Sequence, residues 1–132
     1  MVCTNSNPIN NMRDGIIMLW SDAIKILGAQ ILVDGPNFEI KNFAAADLLS
    51  DILATSKEDF VILTGQTSPQ AVRTAFAVGA LGIIIVRGKQ VPPESINAAR
   101  DYGIPLATTP LKMFEACATL GGLLWSSPSS KS

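Results

Sequence analysis

Short apolar runs and helix-spaced segments alternate along most of this chain. From Ile16, "IIMLW" reads as a short strand, Ser21 as a helix cap, and "DAIKIL" as a helix that Gly28 ends, because glycine tolerates the left-handed conformation found there. "QILV" is a second strand, and the turn residues of "DGPN" lead into a third, "FEIKNF". Asp47 is placed to cap "LLSDILATS", in which Leu48, Leu49, Ile52 and Leu53 share one helical face. "FVILT" is the next strand, followed by a helix with Val72, Ala75, Phe76 and Gly79 in one stripe. "GIIIV" is a continuous β-branched run of the kind found in a strand covered on both faces. A helix from "PPESINAARDYG", a strand from "PLAT" and a last helix from "PLKMFEACATLGG" complete the series. Strand alternating with helix predicts a single α/β domain with a mainly parallel sheet and flanking helices, over residues 15–125. Residues 1–14 and the tail 126–132, rich in Asn, Ser and Pro, are expected to fray.

Composition narrows the function classes. With 132 residues, 48% of them apolar and 16% charged, the chain has material for one packed core. Its net charge of -1 lacks the electrostatic footprint of a nucleic-acid or anionic-membrane binder. No apolar run reaches the roughly 20 residues that span a bilayer, and "MVCTNSNPINNMRDG" has no apolar stretch behind a basic start. The expectation is a cytoplasmic protein. The absence of histidine excludes a His-dependent triad, a His-ligated metal and an imidazole acid-base. Cys3 and Cys117 have neither the count nor the spacing of a disulfide framework or a zinc site. No cofactor and no metal are expected.

The turns that follow the strands of such a sheet open on one edge, where ligands of open α/β folds usually bind. Here they are "TGQTSP" (64–69), "RGKQVPP" (87–93) and "TTP" (108–110). Ser68 and Thr109 stand where helix caps belong, each before a proline suited to the first helical position. That edge collects Gly65, Gln66, Thr67, Ser68, Arg87, Gly88, Lys89, Thr108 and Thr109, a set of N–H groups, hydroxyls and two cations able to hold an anion such as a nucleotide phosphate. The competing reading is that caps and turn glycines stabilise the fold and bind nothing, each cap contributing about 1 kcal/mol. A phosphate-loop kinase is excluded: five residues separate Gly82 from Gly88, and Gln90 replaces the magnesium-binding hydroxyl. Glu94, Asp101 and Glu115 read as solvated helix carboxylates and Cys117 as an inert thiol, so no catalytic constellation is expected.

The last helix carries apolar residues over more than half its circumference. Leu111, Phe114 and Ala118 form one stripe; Met113, Cys117, Leu120 and Leu124 form another, extended by Leu123 and Trp125. Two readings stand: the second stripe with Trp125 faces another subunit in a two-fold dimer, or the C-terminal "LLW" folds back on its own sheet.

Residues 21–120, through "SDAIKILGAQIL", "DFVILTGQTSPQAVRTAF" and "GIIIVRGKQVPPESINAARDYGIPLATTPLKMFEACATL", resemble the DRTGG domain. That small regulatory module occurs in some phosphotransacetylases and CBS-domain pyrophosphatases, and as stand-alone proteins, some encoded beside iron-only hydrogenases. It is also similar to the N-terminal domain of bacterial HPr kinase. The chain departs from the family at its namesake turn, where Arg87-Gly88-Lys89 replaces a Thr-Gly-Gly type sequence. The resemblance implies a module that dimerises and regulates, with no settled chemistry of its own. An adaptor for a redox enzyme, such as an iron-only hydrogenase, is the alternative it leaves.

Overall fold

The computed structural model describes residues 18–124, with the side chains of Leu123 and Leu124 excepted. The expectations for residues 1–14 and 126–132, for the start of the first strand at Ile16, and for Trp125 lie outside the described residues. The elements are β1 (Met18–Leu19), α1 (Trp20–Leu27), β2 (Gln30–Val33), β3 (Glu39–Ile40), β4 (Asn42–Ala45), α2 (Leu49–Leu53), β5 (Phe60–Thr64), α3 (Pro69–Ala77), β6 (Gly82–Ile85), α4 (Pro93–Tyr102), β7 (Leu106–Thr108) and α5 (Met113–Leu124). The main sheet has five strands in the order β2-β7-β6-β5-β4. β4, β5, β6 and β7 run parallel, and β2 closes one edge antiparallel to β7. The predicted α/β class, with its mainly parallel sheet and flanking helices, is the observed one.

Period-two alternation splits the strands between two cores. Phe60, Ile62, Ile83, Ile85 and Leu106 face one side, where Ile52 of α2, Ala71, Val72 and Ala75 of α3, and Ala99 of α4 cover them. Val61, Leu63, Ile84, Val86 and Ala107 face the other, under α1 and α5. Every residue of β5 and β6 is buried, as a strand covered on both faces requires. Gly82 opens β6 because Trp20 and Phe38 press on it: a Cβ there would lie 2.8 Å from Trp20 Cζ3 and 3.2 Å from Phe38 Cζ.

Several local expectations are corrected. Trp20 begins α1 rather than ending a strand, and Leu19, not Ser21, occupies the cap position. The Asp22 carboxylate accepts the Leu19 N–H at 2.9 Å, while Ser21 sits in the first turn, tied to Asn37 by two hydrogen bonds. "FEIKNF" is two strands: β3 pairs with β1, and beyond Lys41 the chain joins the main sheet as β4. α2 is short and packs against α3, and Ile52 alone of its apolar set is buried; Leu48 and Leu53 are exposed. On α3, Ala71 takes the place expected for Phe76, which is half-exposed and stacks on Tyr102 of α4 with ring centroids 4.6 Å apart.

Candidate functional site

The carboxyl ends of β4, β5, β6 and β7 bring four turns together at one edge of the sheet. Gly65, just past β5, is their meeting point. It is buried, and a methyl group built on it would lie 3.1 Å from Asp47 Oδ1, 3.2 Å from Arg87 Nη2 and 3.6 Å from Lys89 Nζ. Three charged groups from two other turns thus converge on one glycine. Asp47 Oδ1 accepts the Gly65 N–H at 2.9 Å, Lys89 Nζ donates to the Gly65 carbonyl at 2.8 Å, and Gln66 Nε2 donates to the Asp47 carbonyl at 2.6 Å. Thr64 Oγ1 accepts the Gln66 N–H at 3.0 Å, which fixes the exit of the chain from β5.

Asp47 is the member of this cluster that sequence reasoning assigned elsewhere. Its spacing before "LLSDIL" reads as a cap for α2, but the cap position falls to Leu48 and no side chain bonds the helix end. The carboxylate turns instead across the sheet edge to a residue 18 positions away. A clue was available: Asp47 follows a strand, as do the other site turns, once "FEIKNF" is divided.

The turn after β6 is held by its backbone. Arg87 and Gly88 both have positive φ, 71° and 58°, the sign pattern of a type I′ turn. The Arg87 N–H donates to the Leu111 carbonyl and the Gly88 N–H to the Thr109 carbonyl, both at 2.7 Å. These bonds tie the turn to the segment after β7. A non-glycine residue in this region costs roughly 1–3 kcal/mol, and such residues cluster at functional sites. Arg87 therefore aims a cation at Gly65 from a backbone that folding alone would give to glycine. Neither Arg87 nor Lys89 forms an ion pair among the described residues, where Lys41 and Asp59, 3.7 Å apart, are the pair found.

The remaining site residues divide by role. Ser68 is the cap expected: its Oγ accepts the Ala71 N–H at 3.2 Å and Pro69 opens α3. The Thr67 carbonyl accepts from the buried Ser95 hydroxyl, which pins the turn to α4. Thr108 is half-buried, with an enclosed Oγ1 that has no hydrogen-bond partner. Thr109 is corrected: α5 starts at Met113, and Thr109 is fully buried, donating to the Leu27 carbonyl at 2.7 Å and accepting the Leu111 N–H at 3.3 Å. It clamps α1 to this edge. Glu115 supplies the turn before α5 instead, accepting the Lys112 N–H at 2.9 Å.

On α5, Ala116 and Leu120 are buried against the chain's own sheet, and Met113 and Cys117 are half-buried against the same core. Phe114 is 81% exposed and Ala118 is exposed. The apolar surface that α5 leaves uncovered thus belongs to the first stripe, while Leu120 of the second is spent inside the chain. The Cys117 thiol is pushed above its ordinary value, first by burial and then by the negative charge of Asp47. Among the described residues no group of three or more His, Cys, Asp or Glu is placed to hold a metal, and no helix is long and apolar enough to cross a membrane.

No family model matches the chain, and no curated protein matches it. Among solved structures it is similar to one described as the CBS and DRTGG domains of the regulatory region of Clostridium perfringens pyrophosphatase, complexed with the activator diadenosine tetraphosphate. The TM-score is 0.64 at 18% identity, over 76% of this chain and 45% of that one. At that identity the likeness is one of fold, and this chain corresponds to less than half of that regulatory region. The DRTGG-like architecture expected from the sequence is supported to that extent.

Proposed function

We propose that this chain is a regulatory module without catalysis of its own, which binds a small anion of the nucleotide-phosphate class at the carboxyl edge of its sheet and acts as a dimer. The observation that carries the reading is the convergence of Arg87 and Lys89 on Gly65, with Arg87 held at positive φ. Two cations against one carboxylate leave that corner net positive, and the Gly65 N–H, the α3 N-terminus and Thr67 lie beside it, as an anion requires. The activator named for the similar regulatory region, diadenosine tetraphosphate, is a ligand of this chemical class. Asp47 would be its competitor for the Gly65 N–H.

Thermal unfolding against orthophosphate, AMP, ATP and diadenosine tetraphosphate tests the reading. A compound at 100 times its dissociation constant stabilises the fold by about 2.7 kcal/mol. That gain should disappear when Arg87 and Lys89 are both replaced by alanine. Stabilisation that persists in the double variant would remove these residues from the site, and no stabilisation by any compound would remove the ligand.

A second reading uses the exposed apolar face of α5, where Phe114 is 81% exposed and Ala118, one turn on, is exposed as well. In that reading α5 is the gripping face of an adaptor for a redox enzyme. It predicts no anion effect on melting and loss of partner capture in Phe114→Ser.

A further inference from the structure

Asp47 stands between two sets of backbone donors and serves one of them. Its Oδ1 accepts the Gly65 N–H at 2.9 Å, from a residue 18 positions along the chain. On its other side α2 begins at Leu49 behind Leu48, whose aliphatic side chain accepts nothing, so no side chain caps that helix. Asp and Asn are among the best cap residues, and a cap accepts the N–H groups two and three positions ahead of it. With Asp47 as the cap these are the N–H groups of Leu49 and Ser50, and α2 starts one residue earlier, at Leu48.

The backbone is placed to make that change with little loss. Leu48 is extended, at φ -108° and ψ 148°, and 58% exposed, so no core packing opposes its rotation into the helix. Its carbonyl accepts both the Asp51 N–H at 3.0 Å and the Ile52 N–H at 3.1 Å. In the longer helix the Ile52 bond stays, since it already joins residues four apart, and the Asp51 N–H alone passes to the Asp47 carbonyl. That carbonyl accepts Gln66 Nε2 at 2.6 Å and has a second lone pair for the new donor. α2 has five residues, too few to hold a free ligand at its end, but the carboxylate is tethered next to it by the chain itself.

We propose that Asp47 transmits occupancy of the strand-end site to α2: an anion that takes the Gly65 N–H drives the Asp47 carboxylate onto the N–H groups of Leu49 and Ser50, and the helix gains a residue at its start. This inference rests on the anion reading above. The anion and the carboxylate want the same donor and repel each other at contact, so they do not share it. A ligand shifts an equilibrium only by binding its two states unequally, and exclusion of Asp47 from Gly65 supplies the inequality. The change ends at the surface: Leu48 turns with the helix start, so the two states present different apolar surface on α2.

Amide hydrogen exchange of the ¹⁵N-labelled chain tests this, with orthophosphate, AMP, ATP and diadenosine tetraphosphate as probes. Whichever of them raises the melting temperature should also slow exchange at Leu49 and Ser50 by about fivefold, the protection a cap of ordinary strength gives. Asp47→Asn keeps a cap residue and should keep that response. Asp47→Ala has no cap to offer and should lose it, while binding the anion at least as tightly as the parent. Loss of negative charge alone would move both variants alike, so the split between them reads the cap. Asp47 is exposed, so neither variant takes packing from the core. An anion that raises the melting temperature without slowing exchange at Leu49 and Ser50, or a response that survives in Asp47→Ala, overturns the transfer and leaves the anion site standing. A melting temperature that none of the probes raises removes the anion reading, and the transfer with it.

Discussion

Arg87 stands in a conformation that an L-residue reaches at a cost of roughly 1–2 kcal/mol and glycine reaches freely. Replacing it with glycine relieves that strain, and the added freedom of the unfolded chain offsets about 0.4–1 kcal/mol of the gain. Arg87→Gly should therefore be at least as stable as the parent in urea, by up to about 1.5 kcal/mol. Arg87→Ala keeps the strained backbone and should gain nothing. Both should lose the stabilisation conferred by anions, and a less stable glycine variant would show that the Arg87 side chain serves the fold. Cys117 offers a second residue-scale test, through pH. Its pKa is raised by burial first and by the Asp47 charge second, so the folded state holds its proton longer than the unfolded state does. The stability this contributes is fully present below the ordinary value of 9.0 and is lost as pH climbs through the higher folded value. In a Cys3→Ser background, iodoacetamide should label the thiol slowly at neutral pH. Asp47→Asn removes the second cause and should speed labelling; an unchanged rate would leave burial as the sole cause.

At the scale of elements, the two hydroxyls that look alike in the sequence should part company. Ser68 caps α3 at an accessible end, and Ser68→Ala should cost about 1 kcal/mol. Thr109 is buried between the Leu27 carbonyl and the Leu111 N–H, and Thr109→Val strands both groups at about 1–3 kcal/mol. Denaturant midpoints with unchanged slopes would check the order, and Thr109→Val as the milder change would contradict it. The pattern before Pro69 and before Pro110 is the same, so residue type and spacing could not distinguish a cap from a clamp. Only the distance from Thr109 to the start of α5 does that. The burial of β6 was legible from its unbroken β-branched run, and the meeting of Gly65, Arg87 and Lys89 because parallel strands put successive turns on one edge. The direction of β2 was not, since four apolar residues make the same run either way along an edge. The division of "FEIKNF" was hidden too, because Lys41 carries no turn chemistry and tertiary pairing with β1 and β5 decides the break. Asp47 escaped for the same reason, its partner lying 18 positions away.

For the whole molecule, the distribution of covered and uncovered surface sets how copies could meet. The strand-end site lies at one edge of the sheet, while α5 packs beside α1 on one face of it and leaves Phe114 exposed. A net charge of -1 puts no long-range repulsion between two copies. A two-fold contact through α5 would bury each Phe114 against its counterpart's helix. Because Phe114 is 81% exposed within one chain, replacing it with glutamate should change the stability of the isolated fold by no more than about 0.5 kcal/mol. In a dimer the same change puts two carboxylates into a desolvated apolar contact, which costs far more than it does on a free surface. Sedimentation should therefore find the parent dimeric and Phe114→Glu monomeric at equal concentration, with circular dichroism unaltered. A dimer that survives Phe114→Glu places the contact on another face, and a monomeric parent leaves α5 to a different protein.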